Sequence, residues 1–470
     1  MAQVKRWQVV FLVLLPLLLT FVYLNGGDFV MGVLICLCLI AGCFCSFVLN
    51  KPELGILSIL VALAFTDRQA PNLLYSFQLI YFVVAISFIH HFLSHATSRK
   101  FFWFFVVLIC SYHISVLIVR PYLVPAGWLL YYMTNLAIFL WSILIKWNVR
   151  KIMNIIIPYL IYLIAYGFIE KLIYDPLRVG GPTTHATNYA VILTFLWTIW
   201  FIESYLSKRY ILLVLIFASS IVLFTVFLSG TRMGLLGIFA GLFGAFGAKI
   251  WINNLHKPLL KKLLYIASIF LVIVISVYVI WPFLPQSIYL VKSWNILLSG
   301  NLDSGSMGRV IAWTASLDSF FSNPIWGVGP GNFIKVYTGS FEHIPLTELS
   351  SIPELEHAHS IGLNVLAENG LLGAMMLATV IITCWLQLLK YLLNNPRSPL
   401  GYALLFGGVV IFCLPMIDMI PSPGWDSWYY GILASFGLHK LNSQYIDSCA
   451  DIEFSEQNDK LDIKSISQHS

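Results

Sequence analysis

Long apolar runs alternate with short basic clusters along nearly the whole chain. A helix crossing a bilayer needs about 20 mostly apolar residues. Fourteen such runs are found, at 8–24, 29–49, 54–66, 72–93, 101–119, 128–145, 152–174, 189–207, 211–228, 233–249, 263–281, 361–389, 399–415 and 427–438. The third and last are short for a crossing, so 12–14 membrane helices are expected. The first run follows Lys5 and Arg6 and lacks a small-x-small cleavage site, so it is expected to persist as an anchor.

The basic clusters orient these spans. With the N-terminus inside, alternation puts 19 Lys and Arg on the inner side and 8 on the outer side or near it. The outer ones are Arg68, Arg120, Lys171, Arg178, Arg232, Lys292, Arg309 and Lys335. Every inner loop is basic, as the positive-inside rule requires, and both termini fall inside.

Four regions follow: a bundle over 1–281, one long outer loop over 282–360, further spans over 361–440, and a polar tail over 441–470. The tail carries six acids and two lysines and reads as disordered chain. The long loop is too aromatic and apolar for that. Within it, 309–321 has apolar positions at helical spacing, which predicts an amphipathic helix at the interface. Asn323-Pro324 ends it, and Gly327, Gly329 and Gly331 predict a run of turns.

Composition makes lipid the solvent. Hydrophobic residues are 59%, charged residues 10%, and mean hydropathy is +0.85. A soluble chain carries roughly a quarter charged residues, so a soluble enzyme, a secreted disulfide scaffold and a disordered protein are excluded. The net charge of +6 is scattered between spans rather than gathered on one face, so it is a topology signal and not a nucleic-acid footprint. Of the eight cysteines, seven lie in apolar runs and Cys449 in the tail. No structural disulfide is expected, and Cys36-x-Cys38 has no accompanying His or carboxylate to make a metal site.

No P-loop, GxSxG, HExxH or paired CxxC pattern occurs, and the inner loops are too small for a nucleotide-sugar domain. Any chemistry therefore belongs on the outer face. Charges near lipid are costly unless paired or hydrated, so the outer arginines are informative. Arg232 stands in Ser229-Gly-Thr-Arg232-Met-Gly-Leu-Leu236, at the start of a spanning helix. A cation there opposes the helix dipole, and a bound anion reverses the cost. Gly234, Gly237, Gly241 and Gly244 follow at close-packing spacing. Arg309, after Gly305-Ser-Met-Gly308, is expected to repeat that placement at the start of the amphipathic helix, and Arg178 lies in another outer loop. The alternatives are a snorkelling or carboxylate-paired arginine at 232, a headgroup-binding one at 309, and a purely structural one at 178.

Glu356-His357-Ala358-His359-Ser360 enters the span that continues to Gly370 and Gly373. On a helical wheel His359, Gly362, Leu366, Gly370 and Gly373 fall within about 60°, so the imidazole would crown a glycine-lined face. Glu368 lies on the opposite face, which suits a structural role or a buried polar link. His357 and His359 would splay on a helix. Joint metal ligation would need non-helical backbone and a further ligand from His343 or His185. Arginines without a metal cluster suit a pyrophosphate, and a near-neutral histidine suits general-base work on a hydroxyl. Together they point to transfer of a group from a lipid pyrophosphate to an alcohol.

These residues resemble the O-antigen ligase superfamily, which also holds O-antigen polymerases and protein O-oligosaccharyltransferases. Arg232 to Leu236 fits the Arg-x-x-x-Leu signature. His359-Ser360, nine residues, Gly370 and Gly373 fit the His-[Asn/Ser/Thr/Gln]-x9-Gly-x-x-[Gly/Thr/Tyr] signature in full. The stretch Gly308-Arg309 to Asn332-Phe333 resembles the family's large periplasmic loop. The polymerases' Arg-x10-Gly pattern is absent, since Tyr189, Phe243 and Phe320 stand at that distance from the three arginines.

The resemblance implies an all-α polytopic membrane protein of the GT-C-like type, in the bacterial inner membrane, with its active site facing the periplasm. It implies a metal-independent glycosyltransferase without cofactor. Its partners would be an undecaprenyl-pyrophosphate-linked glycan and a lipid A-core acceptor. His359 would be the general base, Arg232 and Arg309 would hold the pyrophosphate, and Arg178 and His357 would assist binding. The other readings are a polymerase, a protein transferase and, from a different class, a lipid-glycan flippase. A flippase is disfavoured because no internal repeat is seen and the ionisable residues lie at the outer rim.

Overall fold

The structure, a computed structural model, describes residues 138–174, 176, 178–180, 186–258, 304–333, 358–413 and 425–438. It also describes isolated positions at 53, 55–57, 60, 107, 135, 136, 260, 261, 264, 267, 268 and 337. Every regular element among the described residues is helical. They are α1 (Val149–Tyr174), α2 (Ala186–Leu206), α3 (Leu212–Ser229), α4 (Arg232–Asn253), α5 (Ser304–Ser322), α6 (Ile361–Asn394), α7 (Pro399–Cys413) and α8 (Trp425–Leu438). The described residues are thus all-helical, as expected, and five of their helices (α1 to α4 and α6) are long and apolar enough to cross a membrane. Each coincides within a few residues with an expected span, apart from α6, which runs on to Asn394. The spans expected at 8–24, 29–49, 72–93, 101–119 and 263–281, and the tail, lie outside the described residues or barely touch them.

α2 is the axis of the bundle. It is buried along almost its whole length and packs against α1, α3, α4 and α7. Its polar side chains Asn188, Thr194, Thr198, Glu203 and Ser204 therefore sit inside the protein. α3 has the opposite character. Leu212, Leu213, Ile216, Phe217 and Phe224 are exposed, giving an apolar side of the kind that lipid solvates.

The glycines of α4 explain how close the central pair comes. A Cβ on Gly234 would meet Ala190 and Val226. One on Gly237 would collide with Thr194, and one on Gly241 with Trp197 and Thr198. Partner numbers rise together along both helices, so α2 and α4 run parallel, zipped through the small-residue face that the glycine spacing predicts. Gly244 continues the stripe onto Phe406 of α7.

Parallel packing brings the starts of α2 and α4 to one end of the bundle. Gly230 makes the tight return from α3, with φ 63° and its N–H on the Phe227 carbonyl at 3.0 Å. Thr231 then caps α4 by accepting from the Gly234 N–H at 3.3 Å.

Candidate functional site

Arg232 is the first residue of α4, half-buried beside the Thr231 cap, as its position in the sequence predicts. Arg178 is brought to the same turn. Its Nε donates to the Ser229 carbonyl at 3.2 Å, and the next residue, Val179, donates its N–H to the Leu228 carbonyl at 3.0 Å. The segment after α1 thus lies across the end of α3, where a cation complements the dipole and occupies an orphan carbonyl. Glu170 of α1 steadies this segment by accepting from the Gly180 N–H at 3.4 Å. Arg178 therefore has a structural task at the turn that leads into Arg232.

Arg309 and His359 belong to a second packed unit, in which α5 lies against α6. Ala312 of α5 shares a small buried cluster with Phe333, Tyr337, Ala358 and Ala367. Two sequence expectations need correction here. The helix begins at Ser304, so Arg309 stands in its second turn rather than at its start. The glycines at 305 and 308 do not stop it, because Ala312, Ala315, Ser316 and Ser319 bury a face that α6 covers. Packing outweighs the weak helix propensity of two glycines.

The second correction concerns His359. It does not crown a helical face. Its φ is 50°, in the left-handed region, and the helix starts only after Ser360. Ser360 caps α6 by accepting from the Leu363 N–H at 3.4 Å, and Asn364 Oδ1 reaches back to the Ala358 N–H at 3.2 Å. Ala358 and Ser360 are buried while His359 is half-buried. The imidazole is thus carried on a strained turn gripped on both sides, a local arrangement more often found at functional positions than in plain scaffold. His357 lies outside the described residues.

Gly370 is not a packing glycine on a regular helix either. Its φ of 61° and ψ of −163° interrupt α6. In a continuous helix the N–H groups of Leu371 and Leu372 would bond to the carbonyls of Ala367 and Glu368. Instead Leu371 donates to the Pro324 carbonyl at 2.8 Å and Leu372 to the Ile325 carbonyl at 3.2 Å. The freed carbonyls accept from Val328 at 3.0 Å and Gly329 at 2.8 Å. The loop after α5 is therefore inserted between two turns of α6, and two missing helical bonds become four bonds to the loop.

Glu368 completes the insertion. It is 1% exposed, and its Oε1 accepts from the Phe333 N–H at 3.2 Å. Its other oxygen, Oε2, is buried with no hydrogen-bond partner among the described residues. The buried polar link expected of Glu368 is thus present. Its partner Phe333 was not legible, because it stands on a loop 35 residues away in the chain. The one available signal was a carboxylate inside an apolar helix.

Residues 213–378 match the family model described as O-antigen ligase. The matched stretch runs from α3 through the first part of α6. It contains Arg232, Arg309, His357, His359, Gly370 and Gly373, and leaves out Arg178. No curated protein matches the chain. The family match supports an O-antigen ligase or polymerase type of function, and with it a transferase acting on lipid-linked glycan in the membrane.

Proposed function

We propose that this protein is an O-antigen ligase of the bacterial inner membrane. It moves glycan from undecaprenyl pyrophosphate to a sugar hydroxyl of lipid A-core on the periplasmic face. The observation that carries the reading is the setting of His359. A half-buried imidazole stands on a strained turn, clamped by Ser360 and Asn364, inside the stretch that matches the ligase family.

In this reading His359 takes the proton of the acceptor hydroxyl as that oxygen attacks the anomeric carbon of the donor sugar. The bond from that carbon to the pyrophosphate oxygen breaks, and undecaprenyl pyrophosphate leaves with the bonding pair. Arg232 and Arg309 hold the diphosphate and stabilise the charge gathering on it. Arg178 steadies the α3–α4 turn and adds positive charge at that end, and His357 supports the acceptor side. The alternation of basic loops along the sequence assigns all of these residues to one face. In this scheme the guanidinium groups supply charge stabilisation and the imidazole supplies proton transfer, without a metal.

The test is reconstitution in proteoliposomes with undecaprenyl-pyrophosphate-linked glycan, offering lipid A-core and a serine-containing acceptor protein separately, with and without chelator. Glycosylated lipid A-core, formed equally with chelator, is the expected product. Chain elongation on the lipid carrier would instead make the protein a polymerase, and glycosylated protein would make it a protein transferase.

A further inference from the structure

The turn that follows α5 has a surface that the ligase reading does not use. Phe321 is 72% exposed and Ile325 is 55% exposed, and Pro324 beside Ile325 is exposed as well. The Pro324 carbonyl accepts from the Leu371 N–H at 2.8 Å, and the Ile325 carbonyl from the Leu372 N–H at 3.2 Å. Leu371, Leu372 and Met375 are themselves exposed and open the apolar side of α6. The outer surface of a helix long enough to cross a membrane thus runs on into this turn.

Charge gives the depth. Residues 369–389 carry none, and Lys390 ends them on the basic, inner side. At about 1.5 Å per residue this stretch measures about 30 Å, the thickness of a hydrocarbon layer. Leu371 and Leu372 therefore stand at the outer edge of that layer, and the turn bonded to them stands there too.

The turn is built for such a place. No charged residue occurs over 319–334. The carbonyls of Ser319, Phe320, Asn323, Pro324 and Ile325 all accept backbone N–H groups, so they need no water. Exposed hydroxyls above and below are closed within their own helices. Thr314 donates to the Val310 carbonyl at 3.0 Å and Thr379 to the Met375 carbonyl at 2.7 Å. Trp326, half-buried, follows the tip, and tryptophan is enriched at this boundary. The exposed side chains are large and apolar, whereas helices that meet another protein inside a membrane favour small ones.

We infer that the turn at 321–325 is a lipid-inserting anchor. Phe321 and Ile325 sit among acyl chains at the outer edge of the hydrocarbon layer, beside Leu371 and Leu372, and hold the α5–α6 unit at a fixed depth. This adds to the interfacial helix expected over 309–321 a contact beyond its end, set at a defined level by the bonds to α6. The anchor does not depend on the role given to His359.

The experiment places the photoreactive residue benzoylphenylalanine singly at 321, 325 and 382 in the full-length protein. Each variant is set in nanodiscs of palmitoyl-oleoyl phosphatidylethanolamine and phosphatidylglycerol and irradiated, and its adducts are read by mass spectrometry. Ile382 is exposed in the middle of the uncharged stretch of α6 and serves as the reference for lipid contact. Adducts to acyl chains are expected at 321 and 325, with yields within about three-fold of that at 382. Yields below about a tenth of the reference would put the turn in water and overturn the anchor. Adducts joining two protein chains at 321 or 325 would overturn it as well, since a second copy would then cover the surface.

Discussion

A side chain on Gly327 or on Gly370 would run into the backbone of the segment that carries the other glycine. A Cβ on Gly327 would enter the backbone of Glu368 and Asn369, and one on Gly370 would enter the backbone of Ile325 and Gly327. Both are left-handed, at φ 65° and 61°. The inserted loop and the interrupted helix are therefore one unit made possible by two missing side chains. Gly327→Ala and Gly370→Ala are each expected to cost about 2–4 kcal/mol, from the left-handed backbone plus the collision. The double variant should cost less than the sum, because the first change already expels the loop. Thermal unfolding in detergent micelles measures all three. Additive losses would mean that the two glycines act independently.

The backbone at His359 makes a separable statement about stability and chemistry. At φ 50° an alanine keeps the strain and glycine removes it. His359→Gly is expected to be more stable than His359→Ala by about 1 kcal/mol. Both should lose transfer. Melting curves and the proteoliposome assay give the two numbers, and equal stability of the two variants would contradict the left-handed turn.

Two glycines of the same helix are expected to respond to alanine with opposite sign. At Gly237 the new methyl strikes Thr194, whereas at Gly247 nothing lies within 4 Å. Gly247→Ala should gain about 0.5–1 kcal/mol from the lower entropy of the unfolded chain. Gly237→Ala should lose about 1–3 kcal/mol by forcing α2 and α4 apart. A stabilised Gly237→Ala would argue against the parallel pair.

Arg178 caps α3 through the Ser229 carbonyl. Arg178→Ala is expected to lower stability by about 1 kcal/mol, the usual worth of a cation at a helix C-terminus. If it also contributes charge to the donor site, donor KM should rise by about ten-fold, a loss near 1.4 kcal/mol. Steady-state kinetics at two salt concentrations checks this. An unchanged KM would leave Arg178 as a cap alone.

Much of this protein was written in one dimension. Span positions follow from runs of apolar residues, because a membrane helix satisfies its own backbone and needs only an apolar surface. The ends of α1 to α4, the close approach of α4 through Gly234 and Gly237, and the turn-rich stretch at 327–331 are all local in origin, and all match. The candidate residues Arg232 and His359 stand out for the same reason, since charge and imidazole beside lipid need an explanation.

Tertiary structure decided the rest. A helical wheel assumes continuous backbone, so it placed His359 and Gly370 on a face that does not exist. The break at Gly370 is stable only because four groups of a loop far upstream take the bonds the helix gives up. The insertion beside Glu368 and the early start of α5 likewise depend on partners distant in the chain. Local propensity records what a segment prefers alone. It carries no record of which remote carbonyl or carboxylate will stand beside it, and in this site those remote groups set the geometry.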